Sequence, residues 1–325
     1  LSDHRHLRRR SRRHAATCIA RHSVTTMSDR TSSLRIHYSP DYTGTGVAFD
    51  TTRKATVVAE AMTRLFGDRI ELVAPVPLTR AELLLAHDGA YIDAVRTGRP
   101  DWLARSNGID WDGKLFGAAA SSNGGVRDAA VWATRTGRTC GSLSSGLHHA
   151  RPDRGNGYCT FNGLAVAARA ALLEGATRVA IIDFDAHAGG GTAAIIEPID
   201  GIEQYDVSVA HFDGYADTRN ARLVWSNGRS YLDDIAAMLG SIPEPADIDL
   251  VIYNAGMDPH EDAGGVAGIT TEVLAMREHM LFDWAARHDV PVAWVLAGGY
   301  TGRFDLAGVA ELHCLTAEAA MAAAR

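Results

Sequence analysis

The chain has 325 residues, of which 46% are hydrophobic, 22% charged and 7% aromatic, with a formal net charge of -7. This composition suits one large α/β domain or two small ones, and the negative balance gives no general attraction to nucleic acid or anionic membrane. No uncharged apolar run approaches the ~20 residues that span a bilayer. The scattered cysteines Cys18, Cys140, Cys159 and Cys314 form no C-x-x-C pair, so a reducing cytoplasm is the expected setting.

Residues 1–26 are dense in Arg and His and start at Leu1. With nothing apolar to join a core, they read as a disordered arginine-rich extension. Translation from upstream of a start at Met27 would make them non-native; a nucleic-acid-binding arm or a transit-like leader is the alternative. Residues 27–325 read as one domain. There the stretch 34–39 (LRIHYS) predicts a strand, and 51–67 a helix ended by Gly67. Residues 70–75 are extended again, and 79–98 are helical in two pieces. Alanine-rich helices follow at 116–137 and 161–176. Later strands are expected at 178–184, 205–212, 248–255 and 290–297, with helices at 231–242 and 271–288 between them. Apolar strands alternating with helices predict a single α/β domain with a mainly parallel central sheet flanked by helices. The last strands run into polar or glycine-rich text, and ligands of open α/β sheets sit beyond the carboxyl ends of strands.

The stretch RVAIIDFDAHAGGGT, Arg178–Thr192, carries chemistry in an alternating pattern. In an extended chain Asp183, Asp185 and His187 point to one side. Such a group repels itself unless a cation or hydrogen-bond partners sit nearby. Asp185 and His187 suit a divalent metal, and Asp258 in NAGMDPHEDAGG supplies a third ligand, leaving a position for water. The competing reading makes Asp183 or Asp185 a helix cap. Upstream, SGLHHARPDRGNGYCTFNG holds His148 and His149, which suit a base and its electrostatic partner. LAGGYTG presents Tyr300, either an oxyanion donor or a packed turn tyrosine.

HHARPDRGNGYCTFN, DFDAHAGGGT, NAGMDPHEDAGG and LAGGY, in that order, resemble the zinc-dependent histone deacetylase and acetylpolyamine amidohydrolase family, of the arginase-deacetylase superfamily. FDTTRKATVVAEAM and LLLAHDGAYIDAV extend the resemblance from Leu34 to about Thr316. It implies an arginase/deacetylase-like fold, with Asp185, His187 and Asp258 holding Zn²⁺ or Fe²⁺. His148, His149 and Tyr300 become the catalytic groups, and Asp183 the carboxylate that orients His148. The resemblance also implies a structural monovalent cation near Asp183 and Asp185. Gly157 and Tyr158 fall at the wall of an acyl-lysine channel, with Phe212 or Tyr215 opposite, and Gly298 and Gly299 border the substrate.

The implied reaction removes an acyl group from an amine: an acyl-lysine peptide, an acetylpolyamine or another small N-acyl amine. Neither nucleic acid nor membrane is an expected partner, and homo-oligomerisation is left open. A polyamine substrate calls for acids at the channel mouth, with candidates in DIDL, DPHED and DGYAD. An arginase-type ureohydrolase is disfavoured because a two-metal site needs further carboxylates and position 189 is glycine.

One departure stands out. Many family members follow the ligand histidine with H-G-D-G, whereas this chain reads Ala188-Gly189-Gly190-Gly191. Losing a carboxylate at 190 predicts a lower pKa for His149 and a poorer acid for the leaving amine. Recruitment of His260 or Glu261 could compensate. The alternative is a non-catalytic or weakly active relative that binds acylated ligands.

Overall fold

The structure, a computed structural model, describes residues 33–44 and 50–323. The expected arginine-rich extension lies outside the described residues. Among the described residues, eight strands form one sheet: β1 Leu34–His37, β2 Ile70–Val73, β3 Cys140–Ser142, β4 Val179–Asp183, β5 Ile202–Ser208, β6 Ala221–Trp225, β7 Leu250–Asn254 and β8 Val292–Val295. The α-helices are α1 Asp50–Phe66, α2 Arg80–Leu83, α3 Gly89–Thr97, α4 Asp101–Ala104 and α5 Leu115–Thr136. They continue with α6 Gly163–Leu173, α7 Gly190–Ile196, α8 Tyr231–Ser241, α9 Thr271–Arg287 and α10 Leu306–Ala323. No helix among the described residues is long and apolar enough to cross a membrane.

All strand pairs are parallel, in the order β2-β1-β3-β8-β7-β4-β5-β6. β4 and β7 are buried along their whole length, as a sheet covered on both faces requires. Alternate residues feed two apolar layers. Ala180, Ile182, Val251 and Tyr253 pack with α1, α8, α9 and α10, while Val179, Ile181, Leu250 and Ile252 pack with α3, α5 and α6. Helix ends are set locally. Thr79 and Glu82 form a reciprocal cap on α2, and the Asn162 side chain accepts from Ala165 N at 3.1 Å to start α6.

Five of these strands and α-helices escape the sequence reading: β3, β6, α4, α7 and α10. β3 is short and built from small residues because the Trp294 indole of β8 lies across it. A Cβ at Gly141 would run into that ring. β5 also begins earlier than expected, at Ile202.

The winding leaves a gap that β7 and β8 fill between β3 and β4. The ends of these strands stand level, with Ser142 opposite Val295, Val295 opposite Asn254, and Asn254 opposite Asp183. The loops leaving β3, β4, β7 and β8 therefore enter one crevice, where the strand order reverses.

Candidate metal centre and active site

Asp185 and His187 follow β4, and Asp258 follows β7. Each offers a ligand atom within 4.8 Å of the other two. His187 Nδ1 lies 3.1 Å from Asp258 Oδ2 and 3.3 Å from Asp185 Oδ1. The remaining carboxylate oxygens are held by backbone amides: Gly298 N donates to Asp185 Oδ2 at 2.7 Å, and Ala186 N to Asp258 Oδ1 at 3.0 Å. The β4, β7 and β8 loops thus fix one another. Gly298 has no alternative here, since a Cβ would collide with both carboxylates.

Two buried carboxylates and an imidazole are an oxygen-and-nitrogen set that fits a divalent zinc- or iron-type ion. Their electrostatics call for positive charge. Burial disfavours protonation of His187, yet its hydrogen bonds to Asp185 and Asp258 and their charges outweigh burial and raise its pKa to about 11. A divalent cation satisfies the same demand without the proton.

His148 and His149 follow β3 and lie with ring centroids 3.9 Å apart and planes inclined by 37°. His148 Nδ1 lies 2.8 Å from Asp183 Oδ2 at the end of β4. Burial opposes charge on His148, but Asp183 and Asp185 prevail and raise its pKa to about 10. His149 goes the other way, down to about 4: burial leads, the neighbouring His148 charge adds to it, and a carboxylate partner only partly offsets both.

That partner corrects the sequence expectation. His149 does have a carboxylate, Asp213 Oδ2, 3.0 Å from its Nδ1. Asp213 belongs to the loop after β5 and also pairs with the Arg151 guanidinium. The lowered pKa expected for His149 therefore arises from burial and His148 rather than from a missing acid. The side chains suggested as substitutes are engaged elsewhere. His260 holds Thr271 Oγ1 at 3.1 Å and accepts from Asp262 N, while Glu261 accepts from Gly268 N.

Tyr300 lines a pocket together with His148, His149, Gly157, Asp185 and Gly298. Its amide donates to Ala263 O at 3.0 Å, and Asp50 of α1 accepts from both the amide and the hydroxyl of Thr301. Burial first, then the charges of Asp258 and Asp185, push the phenol pKa well up, so it stays protonated and able to donate. Gly299 adopts a φ of +132° behind it.

Tyr158 and Phe212, the expected channel walls, are both 44% exposed. Phe212 stands edge-on to His149 at 4.8 Å, and Gly157 lies between the two, where a Cβ would sit 2.7 Å from the Phe212 ring. Tyr215 turns away: its hydroxyl donates to Arg222 O and accepts from Gln204. The candidate acids also divide. Asp249 of DIDL binds Thr177 at the opposite end of the sheet, and Asp262 of DPHED pairs with Arg303.

Three groups at the site went unread in the sequence besides Asp213's role. Lys54 of α1 is fully buried, with its ammonium against Ala297 O and Gly299 O. Burial lowers its pKa to about 8 against the pull of Asp258, Asp185 and Asp50. Arg277 of α9, also fully buried, donates to Phe184 O at 3.0 Å and Gly256 O at 2.6 Å, tying together the chain before Asp185 and before Asp258. Asn254 Nδ2 donates to Asp183 Oδ1 at 2.9 Å. Helical spacing could have flagged the first two, because Lys54 lies in register with buried Val58 and Met62, and Arg277 with buried Leu274 and Leu281.

The chain is similar to several known proteins. Residues 48–316 match the family described as Histone deacetylase domain. An uncharacterized protein of Picosynechococcus sp. is 31% identical over 228 residues, covering 68% of this chain and 76% of that protein. Acetylpolyamine amidohydrolase 1 of Pseudomonas aeruginosa is 26% identical over 77% of this chain and 85% of its own. Histone deacetylase 2 of Arabidopsis thaliana is 24% identical over 78% and 69%. Among solved structures, the HDA15 HD domain superposes with a TM-score of 0.73 at 20% identity, covering 90% of each chain, which shows a common fold. With the family match spanning most of its length, this chain belongs to the histone deacetylase domain family.

Proposed function

We propose that this chain is a metal-dependent amidohydrolase that removes acetyl or related acyl groups from an amine such as acetyl-lysine or an acetylpolyamine. The observation that carries the reading is convergence. Asp185, His187 and Asp258 gather within 4.8 Å, and His148, His149 and Tyr300 face the same pocket. The names of the acetylpolyamine amidohydrolase and the histone deacetylase it resembles support the same class of reaction.

Asp185, His187 and Asp258 would hold the ion, Zn²⁺ or Fe²⁺. When bound, it polarises the acyl carbonyl and acidifies water. The remaining work falls to the chain. An ionised carboxylate only accepts, so Asp213 keeps the His149 proton on Nδ1 and leaves Nε2 to take a proton from the attacking water. Asp183, 2.8 Å from its Nδ1, favours the charged form of His148 beside the site. The Tyr300 hydroxyl donates to the oxyanion that develops on the carbonyl oxygen. His149 then returns its proton to the leaving amine. Phe212 and Tyr158 flank the acyl chain at the mouth.

The lack of a carboxylate at position 190 favours a non-catalytic binder, and the Asp213 carboxylate 3.0 Å from His149 Nδ1 supports the catalytic reading instead. The three described cysteines are buried free thiols, which supports a reducing, cytoplasmic setting. The test is turnover of acetyl-lysine peptide and acetylputrescine by zinc-loaded protein, with and without chelator. Chelator-sensitive release of acetate is expected. Binding without turnover across an acyl panel would contradict the proposal.

A further inference from the structure

Position 190 and residue 213 occupy the same space. A Cβ built on Gly190 would lie 2.9 Å from the Asp213 carboxyl carbon and would run into the Asp213 carbonyl oxygen. Glycine at 190 is therefore what lets the β5 loop bring a carboxylate down onto His149. Asp213 adopts a φ of +55°, a left-handed conformation that Asp and Asn accept more readily than most residues. Its carboxylate is fully engaged. Oδ2 faces His149 Nδ1 at 3.0 Å and accepts from Gly191 N at 3.1 Å, while Oδ1 takes the Arg151 guanidinium, which also reaches Gly190 O at 3.4 Å. The Asp213 side chain is only 3% exposed, although Phe212 and Gly214 on either side are exposed.

We infer that Asp213, clamped by Arg151, is the positioning residue for His149, supplied by the loop that also carries the Phe212 wall of the acyl channel. This deepens, and rests on, the amidohydrolase reading. Phe212 packs edge-on against the same imidazole that Asp213 orients. Loop 212–213 therefore joins substrate contact and proton transfer in adjacent residues.

The test uses zinc-loaded protein and Asp213→Asn, which keeps side-chain shape and tolerates the left-handed backbone. We expect kcat on an acetyl-lysine peptide to fall about 10²-fold, with KM, zinc content and melting temperature unchanged. The loss should shrink to about tenfold on an acetylated aryl amine, whose better leaving group needs less help from an acid. Independently of turnover, the proton NMR spectrum should lose a downfield imidazole N–H resonance that Asp183→Asn does not remove. Unchanged kcat in an active background, equal losses on both amides, or survival of that resonance would overturn the assignment of Asp213 alone. An inert wild-type protein would instead overturn the hydrolase reading beneath it.

Discussion

The adjacent histidines have opposite supports. His148 is held by Asp183, which ends a central strand, is wholly buried, and is further tied by Asn254 and by the Asp185 amide at 3.1 Å. His149 is held by Asp213, on a loop between exposed residues, with Arg151 as the counter-ion. The environments drive the rings apart, to about 10 for His148 and about 4 for His149. One is anchored to the end of a central strand, and its neighbour to a loop carboxylate held by an arginine. A pair of identical side chains acquires separate duties from where its carboxylates are anchored.

Substitutions can break this contrast. The largest effect is expected for Asp183→Ala, which strips a buried imidazolium of its partner and frees the Asp185 amide. Losing one member of a buried ion pair typically costs about 3–5 kcal/mol, and the melting temperature and zinc content should fall with activity. A melting temperature equal to wild type would place Asp183 outside the frame. Tyr300→Phe comes next, with kcat reduced about 10²–10³-fold and metal content unchanged, the usual cost of one oxyanion donor. A near wild-type rate would remove Tyr300 from the chemistry.

The smallest effect is the pH dependence of stability in chelator-treated protein. A raised folded-state pKa for His148 gives stability that is complete below the unfolded value of 6.5 and fades as pH rises toward about 10. The lowered pKa of His149 gives the reverse, full support above 6.5 and loss as pH falls toward about 4. Together the pair favours the fold most near pH 6.5. Thermal melts across pH 4–10 check this, and a histidine contribution rising monotonically with pH would contradict the opposed assignments.

Much of the fold was legible because the central strands β4, β7 and β8 are apolar runs that stop at polar residues, and α1 and α9 carry regular apolar stripes. β3 was not, since Cys140, Gly141 and Ser142 are small to make room for Trp294, a demand that comes from a distant strand. α7 was hidden by the glycines at its start. Asp185, His187 and Asp258 could be read because strand alternation and the resemblance of their motifs to a known family point at them. Asp213 lay in a stretch already marked for its acids, but its partner His149 is 64 residues away. No local pattern joins the two, and the gap at 190 suggested absence where the fold supplies a replacement. Lys54 and Arg277 were missed because a charge on a helix is ordinarily assigned to its wet face.

The most direct test of the account is a zinc titration of chelator-treated protein, following bound metal and acetate release together, in wild type and Asp258→Ala. One ion per wild-type chain is expected, with activity returning in proportion to occupancy and both lost in Asp258→Ala. Full activity without bound metal, or undiminished zinc binding and turnover in Asp258→Ala, would contradict a centre built on residues 185, 187 and 258.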